Sequence, residues 1–243
     1  MDRMSLLQLT IRSLKRVLLL LVCFGLILLA VLAYARFVEV HWLRVRNVRL
    51  SAPPTVKLIH ISDIHFDGDS AYLERVVRRM NALEAEAICF TGDLVEESRF
   101  LPEALRILSR VNKPMYGIPG NHDFWARAPF ETISKTFRMT GGEWFAESAA
   151  LLPLERFKSR RILLMHNPGE LAQADRYDLI LAGHTHGGQL ASFFRHILEV
   201  EVGRYDRGLF QTPSGPLYVN PGLGTYGFRA RFLCRPEITV IAL

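Results

Sequence analysis

The sequence predicts an α/β domain of stacked sheets with helices outside, carried behind one membrane-spanning helix. Three observations point there. Short apolar strands alternate with amphipathic helical stretches from about residue 55 onward. A polar cluster rich in Asp, Asn or His closes each of five strands. Ahead of them, Val17–Ala35 runs for 19 residues without a charge.

That run, as a helix, covers about 28 Å, close to the ~30 Å hydrocarbon core. A helix apolar on every face needs burial on every face. The rival reading is a cleaved signal peptide, since Ala33-Tyr34-Ala35 has the look of a cleavage site. An apolar signal region stops at about 7–15 residues, which favours a retained single-pass anchor. The chain accordingly divides into a basic segment at 1–16, a transmembrane helix at 17–38, a juxtamembrane connector at 39–54 and a globular domain at 55–243. Arg3, Arg12, Lys15 and Arg16 precede the span, and Arg36, Arg44, Arg46 and Arg49 follow it. This balance assigns no sidedness.

The net charge is +6, with much of the excess beside the span, where arginines meet anionic headgroups. No basic stripe interleaved with aromatics marks the domain, so nucleic acid is not an expected partner. Cys23, Cys89 and Cys234 form no disulfide framework and read as packing residues.

Within the domain, Val56–Ser62 is a strand ending in Asp63-Ile64-His65. An amphipathic helix follows, with Leu73, Val76, Val77, Met80 and Leu83 on one face. Ala87–Thr91 is a strand running into Gly92-Asp93, and Pro102 opens a helix with Ala104, Leu105, Leu108 and Val111 inward. Pro114–Ile118 runs into Gly120-Asn121-His122-Asp123. Arg161–Met165 and Leu179–Ala182 are strands ending at His166 and at Gly183-His184-Thr185-His186. From about Ser192 the pattern turns β-rich, with clear strands at Leu217–Asn220 and Ile238–Leu243.

Ligands bind at the carboxyl ends of strands in open α/β sheets, because the loops there converge around a crevice. The strand ends deliver carboxylate, amide and imidazole donors and no thiolate. Such mixed O/N sets suit manganese, iron or zinc rather than a structural zinc site. Singly the signals are weak: Gly-Asp is a common turn, and a lone His such as His166 is usually structural. Two His at i and i+2 in extended backbone face opposite ways, but a Gly-flanked turn can aim both inward. Joint occurrence, in order and each at a strand end, makes a metal site.

In that order the motifs resemble the five of calcineurin-like metallophosphoesterases. Gly187-Gly188-Gln189 and the tail Gly222-Leu223-Gly224 … Arg231-Phe232 … Arg235-Pro236-Glu237-Ile238 are similar to a membrane-linked phosphodiesterase branch. The resemblance implies an α/β/β/α sandwich holding two divalent cations, manganese first and iron, zinc or magnesium as other candidates. It puts Asp63, His65 and His186 on one ion, Asn121, His166 and His184 on the second, and Asp93 between them. It implies hydrolysis of a phosphodiester or pyrophosphate, with UDP-2,3-diacylglucosamine in lipid A synthesis as one activity of the branch. His122, following a metal ligand, is expected to protonate or hydrogen-bond the leaving oxygen, with Asp123 orienting its ring or serving as a turn or cap residue. Arg229 and Arg231, after a Gly-rich loop, are candidates for substrate phosphate, although a solvated strand face explains both equally well. Asp67 and Asp69 read as turn residues, and His41, His60 and His196 as structural.

The segment between His122 and His166 is short and departs from relatives that carry an extra strand pair there. Tethering favours a lipid-linked phosphoester. The alternatives are a phosphodiesterase or nucleotidase without lipid preference, and a metal-binding membrane scaffold without activity.

Overall fold

A computed structural model describes residues 3–172, 175–190 and 205–243. His196 lies outside them, as does part of the turn-rich stretch after Ser192.

The first element, α1, is the helix Arg3–Ala33, continued by a π turn at Tyr34–Val38 and a 3-10 turn at Glu39–His41. Its stretch Arg12–His41 is long and apolar enough to cross a membrane, and its most apolar window (mean hydropathy 3.0) is 0% buried. The chain then forms β1 (Arg44–Arg49), β2 (Lys57–Ile61), α2 (Ser70–Asn81), β3 (Ala87–Phe90), α3 (Leu101–Leu108) and β4 (Met115–Gly117). It continues through α4 (Asn121–Trp125), α5 (Phe130–Met139), β5 (Glu143–Trp144), β6 (Ala149–Leu151) and β7 (Ile162–Met165). The remaining strands are β8 (Leu179–Ala182), β9 (Gly208–Thr212), β10 (Gly215–Val219) and β11 (Glu237–Ala242).

Two sheets result, in the orders β1-β11-β2-β3-β4-β5 and β6-β7-β8-β10-β9. Strand alternation divides their side chains between two cores. Ile59, Ile61, Ile88 and Phe90 point to α2, α3 and α5, whose faces at Val76, Val77, Leu105 and Phe137 meet them. Leu58, Ala87 and Cys89 point the other way, against Ile162, Leu164, Leu179 and Leu181 of the second sheet. The outer face of that sheet packs on Leu171, Tyr177, Tyr205 and Phe210. Among the described residues no α-helix covers this face.

The connector expected at 39–54 is instead built into the first sheet. β1 pairs in parallel with β11 from Arg44↔Glu237 to Arg49↔Ala242. Val45 packs toward the helical core and Val48 toward the inter-sheet core, while Arg44 donates to the buried Glu237 carboxylate at 2.7 Å. Arginines interspersed with valines read as a basic tether, but they also form an edge strand on which Arg46 and Arg49 stay exposed. The short segment after His122 supplies β5 to one sheet and β6 to the other, so it crosses between the sheets rather than forming a strand pair.

The parallel strands β2, β3, β4 of one sheet and β7, β8, β10 of the other end at one common edge. Every polar cluster singled out above lies there.

Candidate metal centre

Two groups of donors meet at this edge. In the first, His65 Nε2 stands 3.0 Å from His186 Nε2, 3.4 Å from Asp93 Oδ2 and 4.0 Å from Asp63 Oδ1. In the second, His166 Nε2 stands 3.0 Å from Asn121 Oδ1, 3.1 Å from His184 Nδ1 and 3.3 Å from Asp93 Oδ2. Asp93 belongs to both. Its Oδ1 accepts the His122 backbone N–H at 2.8 Å, which leaves Oδ2 facing the two histidines at nearly equal distances.

The histidine tautomers are set from behind. His166 Nδ1 lies 2.7 Å from the Thr91 carbonyl, which can only accept, so Nδ1 carries the hydrogen. His65 Nδ1 likewise faces the Glu96 carboxylate. In both rings the lone pair is then at Nε2, aimed at other lone pairs on imidazole, amide and carboxylate. Only a cation or an added proton reconciles donors packed this way. Donor atoms about 2.1 Å from a shared ion stand about 3.0–3.4 Å apart around it. The residues present therefore fit a pair of divalent ions.

The electrostatics agree. Burial lowers the pKa of His65 and of His166, but hydrogen bonds and charge from Asp93, Asp63 and, for His65, Glu96 outweigh it, raising them to about 10 and about 9. Burial raises Asp93 as well, yet its bonds to His166 and His65 hold it well below the usual carboxylate range. His186 and His184 are lowered, first by burial and next by the neighbouring His65 and His166 respectively. Acidic groups thus outnumber the cations offered to them, a field in which protons stand in for metal.

Backbone strain pays for the convergence. Asp63, His65, Asp93, His184 and His186 all take positive φ, from 40° to 70°, a region that costs a side-chain-bearing residue. For His184 and His186 the left-handed backbone at both positions turns two alternate side chains to the same side. A Cβ at Gly183 would lie 1.8 Å from Ser62 Oγ and 2.5 Å from Asp63 Oδ2. Glycine is required for this close approach.

Asp123 caps the turn at Gly120 and does not take the ring-orienting role. Its buried carboxylate accepts the backbone N–H groups of Gly120 and Asp93 on Oδ2 and of Leu94 on Oδ1, each at 2.9 Å. It ties the Asp93 loop to the Asn121 loop and does not orient the His122 ring. Burial, then the charge of Asp93, raises its pKa to about 6. Glu96 holds the ring instead: His122 Nδ1 lies 3.0 Å from Glu96 Oε2. Sequence reading missed Glu96. The available signal was an acid three residues beyond Asp93 on the same loop. Burial raises the Glu96 pKa, but its bonds from His122 and His65 outweigh that and bring it to about 2. Tyr226, also missed, places its ring 4.7 Å from the His122 ring.

The two arginines differ in access. Arg231 is fully buried and donates to the carbonyls of Gly224, Pro221 and Cys234, so it is neither a phosphate ligand nor on a solvated face. Arg229 is half-exposed and donates to Asp67 at 2.7 Å and Asp69 at 3.1 Å. Asp69 also caps α2 through the Tyr72 N–H and bonds His41. His60 is buried on Thr91, its pKa lowered by burial to about 3.

Two layers of β-sheet whose strand ends bring buried Asp, His and Asn into two groups sharing one carboxylate define a metallohydrolase-type centre. Residues 56–188 match the calcineurin-like phosphoesterase family, and the chain belongs to that family. It is a hydrolase, and the family uses divalent metals. The Bacillus subtilis uncharacterized metallophosphoesterase YkuE is 29% identical over 86% of this chain and 88% of its own length. The zebrafish transmembrane protein with metallophosphoesterase domain is 30% identical over 77% of this chain, which spans about half (53%) of that relative. The Escherichia coli phosphodiesterase YaeI is 35% identical over 46% of this chain and 43% of its own length.

Proposed function

We propose that this chain is a membrane-anchored phosphodiesterase that works with two divalent ions and takes a lipid-linked phosphoester. The observation that carries the reading is the Asp93 carboxylate, pinned through Oδ1 and facing two separate histidine groups through Oδ2. Asp63, His65 and His186 would hold one ion, Asn121, His166 and His184 the other, and Asp93 both, with manganese the first candidate. When bound, such a pair makes water more acidic and takes up charge on phosphoryl oxygens.

The chain's own residues supply the rest. His122, its Nδ1–H committed to Glu96, turns Nε2 toward the leaving oxygen and donates a proton there. Asp123 fixes the spacing between His122 and Asp93 by holding both loops through their amides. The lipid preference rests on the apolar helix and on the zebrafish relative named as a transmembrane protein. UDP-2,3-diacylglucosamine, cleaved at its pyrophosphate, is the named substrate to try first.

The deciding experiment measures bound metal in the detergent-solubilised chain and its turnover of that lipid and of a water-soluble bis-aryl phosphodiester. Metal-dependent turnover of both is expected, with His122→Ala losing about 10²- to 10⁴-fold in rate while keeping its metal. Turnover of the soluble ester alone would leave a phosphodiesterase without lipid preference. Metal without any turnover would leave a scaffold.

A further inference from the structure

The apolar helix is fastened to the loop that overhangs the metal centre. The Arg231 N–H donates to the Ala35 carbonyl at 3.0 Å, and the Cys234 N–H donates to Glu39 Oε1 at 2.6 Å. Arg235 donates to the Trp42 carbonyl at 2.9 Å, its guanidinium 4.1 Å from the Trp42 ring centroid. The Tyr34 ring meets Phe232 edge-on at 6.5 Å. Where the helix leaves a bilayer, residues 231–235 leave with it.

This loop is equally fastened to the catalytic edge. Gln189 donates to the carbonyls of Tyr226 and Phe228 at 3.1 and 2.7 Å and accepts the Tyr226 N–H at 2.9 Å. The Gln189 carbonyl accepts the Phe232 N–H at 3.0 Å. Tyr226 in turn sits against the His122 ring. Helix end, loop and site mouth are therefore joined by a continuous run of hydrogen bonds and ring contacts.

Apolar side chains stand uncovered along it. Phe37 and Leu233 are 67% and 65% exposed, Phe228 62% and Tyr226 53%, and Trp125 beside His122 is 67% exposed. Soluble surfaces scatter such residues singly, whereas membrane interfaces gather aromatics beside basic groups. Arg36 lies 5.3 Å from the Phe37 ring centroid, in that company.

We infer that the rim formed by Phe37, Tyr226, Phe228 and Leu233 dips into the bilayer interface, so that the metal centre takes its phosphoester from the headgroup layer. The occupant is the leaflet from which the helix emerges, because the rim continues that helix without a break. This rests on the anchored reading above.

The test uses the full chain in phosphatidylcholine–phosphatidylglycerol vesicles containing acyl-brominated phosphatidylcholine, with Phe228→Trp and Leu233→Trp as separate variants. The emission each variant adds over the parent should be quenched by at least about half, as for a side chain ~5–10 Å into the headgroup–acyl boundary. Unquenched added emission overturns the inference, and so does cross-linking between copies through residue 228 without quenching, which would give the rim to a second copy. In parallel, Phe228→Ser with Leu233→Ser should lower kcat/KM on the vesicle-borne lipid about tenfold and leave the soluble bis-aryl ester unchanged. Equal loss on both esters would make the rim structural and overturn the inference. A parent that turns over neither ester would sink the hydrolytic assignment, while quenching would still decide where the rim lies.

Discussion

The two walls of the site are built by opposite means. On the strand-end wall, side chains face the reaction and the backbone is held by Asp123, whose carboxylate gathers amides from two loops. On the loop wall, residues 222–235, the Tyr226 ring faces the histidines and the backbone behind it is held by a side chain, as Arg231 gathers three carbonyls. An anion collects N–H groups and a cation collects C=O groups, each satisfying buried backbone that the fold leaves unpaired. On the reading proposed above, one wall would carry the chemistry and the other the shape. Substitutions on the two should therefore fail differently.

The largest effect belongs to Asp93→Asn. On the two-ion reading proposed above, removing the shared charge should cut bound metal from two equivalents to at most one and slow turnover by at least about a thousandfold, with folding retained. Elemental analysis beside a kinetic assay reads both, and two ions bound at undiminished rate would break the contrast. Arg231→Met should do the reverse. Losing donors to three buried carbonyls should cost about 3–4 kcal/mol and lower Tm by roughly 10 °C, while the folded fraction binds metal as before.

A subtler difference appears with pH in the chelated protein. His65 and His166 have folded pKa values raised to about 10 and about 9, against an ordinary value of 6.5. Raised values mean that the stabilisation is complete below 6.5 and lost as pH climbs through 9 and 10. Thermal stability with chelator should thus fall across that window, and apparent metal affinity should rise over it as the competing protons leave. A flat profile from pH 7 to about 10 would contradict the pairing of these rings with Asp93 and Glu96. The smallest effect is expected of Arg229→Ala. Its partners are the half-exposed Asp67 and Asp69, so stability should change by less than about 1 kcal/mol. A KM on the soluble ester raised tenfold or more would restore Arg229 as a substrate contact.

The same contrast explains what could be read from the sequence. Asp63, His65, Asp93, Asn121, His166, His184 and His186 stood out because donor types recur at strand ends. Apolar runs located β2, β3, β4, β7 and β8 because the residues on both their faces are largely buried, with His60 of β2 a polar exception. Asp123 was visible as a residue but not as a cradle, since a carboxylate bound to backbone leaves no trace in the identities of its partners. Arg231 misled for the same reason: beside a glycine-rich loop, an arginine that binds carbonyls and one that binds phosphate are spelled alike. Glu96 sat within reach of notice, three residues beyond Asp93. β1 escaped because its arginines gave it the composition of a tether.

That strand decides where the enzyme can be cut free of its helix. β11 lies between β1 and β2, so trimming at the Pro53-Pro54 pair would strip one side of an inner strand and bare its amides and carbonyls to any passing chain. Glu39, which receives the Cys234 amide, would go too. A soluble form faithful to the parent has to begin no later than the turn at Tyr34, carrying with it Phe37 and Val38 from the lower end of the helix.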